Sequence, residues 1–256
     1  MGHPLSVGSV TVRATVVVPT YNEIGNIERL LRSVRDVVPD AKILVVDDGS
    51  PDGTADRAEE LGRELGNIDV LRRTQKNGLG HAYRAGLRWA IDDGAEICVQ
   101  MDADMSHDPL VLPALIANVE NGADLAIGSR YVPGGRTVDW PRKRRLLSRW
   151  GNRYAAGVLG LAVNDATAGY RAYRSSALIG MEFETVGAEG YGFQVEMTYR
   201  LVSHLGKVVE FPISFRDRTA GESKMSGSII SEAFVLVGRL WIGDFRGRRR
   251  RRAKGL

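Results

Sequence analysis

Two aspartates in the stretch "VQMDADMSHDP", residues 99–109, have the type and spacing that best suit chemistry. Asp102 and Asp104 follow an apolar run, and no Lys or Arg lies near them in sequence. If the run continues as a strand, residues i and i+2 point to the same side, so the two carboxylates would converge. Converging anions repel each other unless a proton or a cation lies between them. We therefore expect a hard divalent cation here, Mg²⁺ or Mn²⁺, held by one or two carboxylates and completed by phosphate oxygens.

Other interpretations of the aspartate pair fit the sequence less well. An EF-hand calcium loop starting at Asp102 needs Gly at its sixth position and Glu at its twelfth, where this chain has His107 and Pro113. The stretch "GLGHAY", residues 78–83, lacks the third glycine of a dinucleotide fingerprint, and the sequence contains no P-loop. An Asp-x-Asp after an apolar strand also occurs in haloacid-dehalogenase-type phosphotransferases, with the first Asp as nucleophile. That alternative stays open, although it leaves the N-terminal third of the chain unexplained.

The elements that would position these aspartates are five buried strands, predicted from apolar and β-branched runs. The runs lie in five stretches: 14–23, 42–54, 68–73, 96–104 and 124–131. Segments with helical spacing separate them, and this alternation predicts an α/β fold with a doubly wound, mostly parallel sheet. Ligands in such sheets bind beyond the carboxyl ends of the strands. Asp48, Asp102, Asp104 and Arg130 all follow strands, so we expect them to share one crevice.

The composition narrows the class of protein. The 256 residues are 43% hydrophobic and 26% charged, which is ordinary for a globular chain with a large core. Cys98 is the only cysteine, so no intramolecular disulfide forms. It lies in an apolar run, which favours a buried and inert thiol over a nucleophile. No run of 18 uncharged apolar residues is present, so the chain is not expected to span a membrane by itself.

The basic residues are concentrated in two segments, although the net charge is only +4. Residues 142–153 contain five Arg and one Lys, and residues 246–256 contain six Arg and one Lys, without any acid. Amphipathic helices are predicted at 144–163 and 228–245, where Arg and Trp stand beside apolar residues. This mixture favours a position in a membrane interface. We expect a polyanionic partner for these segments, either anionic lipid or nucleic acid.

Ordered motifs along the chain resemble those of one enzyme family. Five stretches resemble glycosyltransferase family 2 enzymes of the GT-A fold: "VVVPTYNE" (16–23), "VVDDGSPDGT" (45–54), "GLGHA" (78–82), "MDADMSHDP" (101–109) and "GSRY" (128–131). Four later stretches resemble the polyprenyl (dolichyl) phosphate mannose synthases within that family: "RRLLSRWGN" (144–152), "DATAGYRAY" (165–173), "GYGFQVEM" (190–197) and "FRDRTAGESKM" (215–225). The resemblance covers roughly residues 14–228. We therefore divide the chain into four parts: an N-terminal extension (1–13), a GT-A catalytic domain (14–227), an amphipathic interface helix (228–245) and a polybasic tail (246–256).

This resemblance implies substrates, a cofactor and the residues that bind them. The donor would be GDP-mannose, the acceptor a polyprenyl monophosphate, and the cofactor Mg²⁺ or Mn²⁺. Asp102 and Asp104, with Ser106 where relatives carry glutamine, would hold the metal on the donor diphosphate. Arg130, Arg144 and Ser148 would seat the acceptor phosphate, and Arg130 would also bind the nucleotide sugar. The remaining residues implied at the nucleotide-sugar site are Pro19, Tyr21, Glu23, Val46, Asp48, Ala103, Arg218 and Lys224.

The reaction expected from the resemblance is one in-line displacement with inversion, in which an acceptor phosphate oxygen attacks the anomeric carbon as GDP leaves. A phosphomonoester has its second pKa near 6, so this nucleophile is largely ionised at neutral pH and needs no general base. Asp102, Asp104 and Arg130 would act by positioning and by neutralising charge. If the acceptor is instead an alcohol, Glu189 and Asp165 are the alternative bases.

The lipid acceptor implies a peripheral enzyme on the cytoplasmic face of a membrane, docked through residues 144–163 and 228–252. A membrane partner protein is also expected, because family members often carry C-terminal spans or rely on membrane subunits. Two further alternatives stay open: a polyprenyl-phosphate glucosyltransferase that uses UDP-glucose, and a basic nucleic-acid-binding protein. The acidic crevice and the lack of a nucleic-acid-binding motif argue against nucleic acid as the partner.

Overall fold

The computed structural model describes residues 12–216 and 235–242. The strands are β1 (Ala14–Thr20), β2 (Lys42–Asp47), β3 (Ile68–Arg72), β4 (Ile97–Gln100), β5 (Leu125–Ser129), β6 (Arg136–Val138), β7 (Arg171–Arg174), β8 (Val208–Pro212) and β9 (Ser214–Arg216). The helices are α1 (Ile24–Val37), α2 (Thr54–Leu65), α3 (Leu79–Asp92), α4 (Leu112–Glu120), α5 (Arg142–Leu159), α6 (Ser175–Gly180) and α7 (Gly190–Ser203). Short 3₁₀ turns span Pro109–Val111 and Phe183–Thr185, and residues 235–242 are helical.

The central sheet has seven strands in the order β3-β2-β1-β4-β7-β5-β8. All neighbours pair in parallel except β7, which is antiparallel to both β4 and β5. The four central parallel strands β1, β2, β4 and β5 are buried almost throughout, as continuous apolar runs require when helices cover both faces. The predicted α/β fold with a mostly parallel sheet is therefore confirmed.

Helices cover both faces of this sheet and form two separate hydrophobic cores. Buried residues of α1, α2 and α4 pack on one face, and those of α3, α5, α6 and α7 pack on the other. Helix α3 lies very close to the sheet, because a Cβ at Gly86 would stand 2.4 Å from the Val17 side chain and 2.8 Å from that of Val46. This close approach lets side chains of α3 reach the ends of the strands.

The antiparallel strand β7 determines which loops surround the carboxyl edge of the sheet. Its first residue, Arg171, pairs with Gln100, the last residue of β4. The residues that precede β7, 165–170, therefore lie beside the turn that follows β4, although some sixty residues separate them in sequence. A strand in this direction was not part of the sequence-based prediction, which placed no element at 165–173.

The predicted interfacial helices are described only in part. The first, predicted at 144–163, is α5 and runs over Arg142–Leu159. Of the second, predicted at 228–245, residues 235–242 are described and helical, and Val237 is buried against the α3–α7 core. The rest of that segment, residues 1–11 and the polybasic tail lie outside the described residues. Among residues 12–216 and 235–242, no helix combines the length and the apolar character that a membrane crossing requires.

Candidate active site

The two aspartates lie in a turn rather than in a strand, because β4 ends at Gln100. The turn is tight: Met105 has a left-handed backbone with φ of 61°, and the Ser106 N–H donates to Asp104 Oδ1 at 3.0 Å. Strand alternation therefore does not explain how the pair is oriented, which corrects the sequence-based argument. Asp104 is buried, whereas the Asp102 side chain is 26% exposed. The carboxylates stand at the edge of the sheet where the crevice was predicted.

Asp102 is held by two groups that sequence analysis did not assign to the site. The hydroxyl of Tyr83, on α3, donates to Asp102 Oδ1 at 2.9 Å. The Asp102 N–H donates to His107 Nδ1 at 3.0 Å, which leaves the proton of a neutral imidazole on Nε2. Burial, with Asp102 as the next cause, raises the pKa of Tyr83 well above its ordinary value, so its hydroxyl stays a donor. Only helical spacing marked Tyr83 in the sequence, and that signal predicts core packing.

The carboxylates that follow β2 have different surroundings. Asp47 closes the turn, because it accepts from Thr20 Oγ1 at 2.9 Å, from the Ser50 N–H at 2.8 Å and from Ser50 Oγ at 2.6 Å. Asp48 accepts from Arg73 Nη1 at 2.7 Å. Burial raises the pKa of Asp48 above its ordinary value, and Arg73 opposes that shift. Asp48 therefore remains the candidate for nucleotide binding, while Asp47 is structural.

The other residues implied at the nucleotide pocket divide into surface and core positions. Tyr21 is partly exposed, and the Lys76 ammonium lies 3.6 Å from the centre of its ring. The Glu23 carboxylate accepts from Asn26 Nδ2 at 2.8 Å, at the start of α1. Val46 is fully buried in the core against α3. The roles of Val46 and of Pro19, which pairs with it on β1, at the nucleotide stay predictions.

Arg130 follows β5 and forms a buried ion pair with Asp165. Its Nε donates to Asp165 Oδ2 at 2.8 Å and its Nη2 donates to Asp165 Oδ1 at 2.7 Å, a bidentate arrangement. Nη2 also donates to Thr167 Oγ1 at 2.9 Å. Burial alone would lower the pKa of Arg130, but the Asp165 carboxylate raises it above its ordinary value. Asp165 is fully buried, so its position is that of a counter-ion and not of a general base.

The loop that carries Asp165 is shaped by a second buried guanidinium, that of Arg171. Arg171 is fully buried, and its Nε and Nη2 donate to the carbonyl oxygens of Ala168 and Ala166, each at 2.6 Å. A Cβ at Gly169 would lie 3.6 Å from Asp102 Oδ2, so this loop passes directly over the acidic turn. Neither composition nor periodicity singled out Arg171, because its partners are backbone carbonyls and the hydroxyls of Tyr173 and Thr198, which no charge or apolar pattern marks.

Two of the three residues implied at the acceptor phosphate, Arg144 and Ser148, lie on α5. Ser148 Oγ accepts a hydrogen bond from the Tyr131 hydroxyl at 2.6 Å. The Arg144 guanidinium lies 4.0 Å from the centre of the Trp140 ring. Their roles toward an acceptor stay predictions, as does phosphate binding by Arg130. Arg218 and Lys224 lie outside the described residues.

The donor atoms around the acidic turn fit a hard divalent cation. Carboxylate and hydroxyl oxygens suit Mg²⁺ or Mn²⁺. Ser106 Oγ is buried and has no hydrogen-bond partner among the described residues, as expected of an atom whose partner is a ligand. No group of three or more His, Cys, Asp or Glu side chains in the described residues is arranged to hold a metal ion. Asp102 and Asp104 would therefore hold the ion together with substrate oxygens. Ala103, between them, is buried in the core.

Comparison with known proteins identifies the family. The family model described as "Glycosyl transferase family 2" matches residues 15–180, more than half of the chain. The chain belongs to glycosyltransferase family 2. It is therefore a glycosyltransferase, and the haloacid-dehalogenase interpretation is wrong because the same model accounts for the N-terminal third.

Similar proteins narrow the resemblance further. The chain is 50% identical over 229 residues to the undecaprenyl-phosphate mannosyltransferase of Micrococcus luteus, covering 89% of this chain and 93% of that protein. It is 47% identical over 228 residues to the polyprenol monophosphomannose synthase of Mycolicibacterium smegmatis, covering 89% and 86%. The dolichol-phosphate mannosyltransferase of Pyrococcus furiosus is 36% identical over 241 residues, covering 91% of this chain and 65% of that protein. The resemblance to polyprenyl-phosphate mannose synthases is thus confirmed.

Solved structures confirm the GT-A fold. Glucosyl-3-phosphoglycerate synthase from Mycobacterium tuberculosis, in complex with Mn²⁺, UDP-glucose and phosphoglyceric acid, superposes with a TM-score of 0.71. The match covers 90% of this chain and 80% of that chain at 20% sequence identity. The same enzyme with phosphoglyceric acid gives a TM-score of 0.69, also at 20% identity. At this level of identity the likeness concerns the fold alone.

Proposed function

We propose that this enzyme transfers mannose from GDP-mannose to a polyprenyl monophosphate, with inversion, to give polyprenyl phosphate mannose. The relatives named for mannose transfer to undecaprenyl phosphate or polyprenol phosphate are 50% and 47% identical over 89% of the chain, which supports both the sugar and the acceptor class. The observation that carries the proposal is the acidic turn after β4. The carboxylates of Asp102 and Asp104 stand at the edge of the sheet where nucleotides bind in such folds, beside the buried Ser106 hydroxyl, which has no hydrogen-bond partner in the part of the chain that the structure describes.

A divalent cation is part of the proposal. When bound by Asp102 and Asp104, Mg²⁺ or Mn²⁺ neutralises the diphosphate and makes it a better leaving group. M. tuberculosis glucosyl-3-phosphoglycerate synthase, of the same fold, was crystallised with Mn²⁺ and a nucleotide sugar, and the donor atoms here suit the same type of ion. The side chains of this chain act by holding and orienting the reactants.

The surroundings of the two candidate bases support a reaction without a general base. Asp165 is buried and ion-paired with Arg130. The Glu189 carboxylate accepts from the Gly80 N–H at 2.8 Å and from Arg84 Nη2 at 2.9 Å, so it is engaged at the start of α3. An acceptor phosphate that is already ionised at neutral pH requires neither of them. The nucleophile in the proposed reaction is therefore a phosphate oxygen and not a hydroxyl.

The proposed site of action is the cytoplasmic surface of a membrane, where the lipid acceptor resides. Helix α5 exposes Leu146 and Trp150 beside its cations, and the 235–242 helix exposes Trp241 and Ile242. Apolar side chains with Arg and Lys around them suit the interface of an anionic bilayer. A membrane partner protein remains part of the proposal, supported by the family resemblance alone.

A panel of radiolabelled nucleotide sugars with polyprenyl phosphate tests the proposal. The panel contains GDP-mannose, UDP-glucose and UDP-mannose, and the labelled lipid is extracted and identified. Transfer from GDP-mannose is expected, and it should stop after exhaustive chelation and return with added Mg²⁺ or Mn²⁺. Transfer from UDP-glucose alone would replace the donor with that of the glucosyltransferase alternative. Activity that survives chelation would remove the metal from the proposal and leave the transfer intact.

A further inference from the structure

Asp102 is held by two hydrogen bonds, one to its side chain and one from its main chain, and a loop lies over its remaining carboxylate oxygen. Tyr83 donates to its Oδ1 at 2.9 Å, and its N–H donates to His107 Nδ1 at 3.0 Å. The loop at Gly169 lies over Oδ2, because a Cβ there would be in ordinary van der Waals contact with that oxygen at 3.6 Å. The side chain of Asp102 thus has one oxygen committed to the protein interior, while the residue keeps part of its surface exposed.

The ring of Tyr83 and the helix that carries it are both fixed by contacts with α7 and the residue before it. It is fully buried, and its ring stacks on that of Phe193 from α7, with centroids 6.2 Å apart and planes 7° apart. The start of α3 is anchored to α7 as well, because Glu189 accepts from the Gly80 N–H and from Arg84. A Cβ at Gly80 would lie 2.8 Å from Glu189 Oε2 and 3.0 Å from the Ala188 carbonyl oxygen, so a larger residue would displace the Glu189 carboxylate. The hydroxyl of Tyr83 therefore approaches Asp102 from a fixed direction.

We propose that Tyr83 is a positioning residue for the metal-binding carboxylate of Asp102: its hydroxyl occupies Oδ1 and orients the group so that Oδ2 is the oxygen available to the cation. This inference rests on the proposed metal-dependent function and deepens it. A metal-ligating carboxylate is commonly held by a hydrogen bond of this kind, and loss of such a partner lowers metal affinity by roughly 10- to 100-fold. His107, stacked on Tyr170 with centroids 4.7 Å apart, restrains the main chain of the same residue.

The substitution Tyr83→Phe tests the role, because it removes one oxygen and keeps the stacked ring. The matched control is Tyr173→Phe. Tyr173 is also fully buried, and its hydroxyl accepts from Arg171 Nη1 at 3.0 Å and makes no contact with Asp102. Mn²⁺ is titrated into the full-length chain at a fixed, saturating concentration of GDP, and binding is followed by the electron paramagnetic resonance signal of free Mn²⁺. Thermal unfolding of the metal-free proteins is measured in parallel.

The Mn²⁺ dissociation constant is expected to rise about tenfold in Tyr83→Phe and to stay at the wild-type value in Tyr173→Phe. The turnover of Tyr83→Phe should recover at high Mn²⁺, whereas a defect of folding would not respond to metal. Equal Mn²⁺ affinity of Tyr83→Phe and wild type would overturn the role of Tyr83 alone. If the wild type itself binds no Mn²⁺, the metal site of the proposed function fails, and the role of Tyr83 fails with it. An equal loss of affinity in both variants would show a general effect of core polar groups and would also overturn the proposal.

Discussion

Two helical surfaces on opposite faces of the sheet differ in whether their cations are paired with carboxylates. On α1 and α2, the guanidinium groups of Arg32 and Arg57 lie 3.0 and 2.7 Å from the Glu28 carboxylate. On α5, five cations have no carboxylate within 4.0 Å among the described residues: Arg142, Lys143, Arg145, Arg149 and Arg153. Unbalanced cations on one surface repel each other, and an anionic partner would relieve that repulsion.

Apolar residues follow the same division. The apolar residues Ile27, Leu30 and Leu31 of α1 are fully buried, as in an ordinary helix that packs on a sheet. On α5, Leu146 is 67% exposed and Trp150 is 52% exposed. The apolar side chains of α1 therefore pack in the core, whereas α5 presents apolar side chains together with cations at the surface, as expected of a docking surface. Two of the predictions below, at Asp104 and Arg145, test whether catalysis and membrane contact are separable.

The largest effect is expected at the buried ion pair of Arg130 and Asp165. Asp165→Ala leaves the buried guanidinium of Arg130 without its carboxylate, which should lower the free energy of unfolding by about 3–5 kcal/mol. Urea unfolding measures the change. The control is Glu28→Ala on α1, whose ion pairs are exposed to solvent and should contribute far less. Equal losses from both variants would contradict the assignment of Asp165 as the buried counter-ion.

Loss of a carboxylate in the acidic turn should remove catalysis and spare the membrane surface. We expect Asp104→Ala to reduce mannose transfer by about 100-fold or more, since charge on the leaving diphosphate would no longer be neutralised. Sedimentation with anionic vesicles should be unchanged. Asp108→Asn is the matched control, because Asp108 lies in the same motif but is exposed and caps the turn through the Leu110 N–H. A variant at Asp104 with normal transfer would be incompatible with the proposed site.

Neutralising one cation of α5 should give the opposite result. Arg145→Gln is expected to weaken binding to anionic vesicles about fivefold at low salt, since each such charge contributes about 1 kcal/mol near the surface. Transfer to a short, water-soluble polyprenyl phosphate should be unaffected. Arg29→Gln on α1, also exposed, controls for net charge. Stronger retention on duplex DNA than on vesicles, lost in Arg145→Gln, would favour the nucleic-acid alternative for this surface.

The smallest effect concerns the thiol below the active site. Burial raises the pKa of Cys98 to about 11, so at pH 8 only about one thiol in a thousand is ionised, and the side chain is fully buried. Iodoacetamide should therefore leave the folded enzyme unmodified at pH 8 and alkylate it once urea is added. Mass spectrometry of the intact chain checks this outcome. Rapid alkylation of the folded enzyme would show that the core between β4 and α6 opens readily.

The first half of the fold was predictable because its elements are continuous in sequence. The five predicted strands and the helices between them are present, and Asp48, Asp102 and Arg130 follow β2, β4 and β5 as expected. The orientation of individual side chains near the strand ends nevertheless differs from the prediction. Val46 faces the core, and the aspartate pair lies in a turn whose geometry depends on Met105 and Ser106. A pattern of apolar residues locates a strand but does not determine where it ends.

The amino-acid order alone specified the layered α/β architecture, the position of the aspartate pair after a strand and the basic helix, because each depends on neighbours within a few residues. The partners of the site came only from the folded chain. Tyr83 reaches Asp102 across 19 positions, Arg130 reaches Asp165 across 35, and Glu189 reaches Gly80 across 109. These contacts follow from the packing of α3 on the sheet and from the reversed direction of β7, and long-range packing of this kind leaves no periodic signal in the sequence.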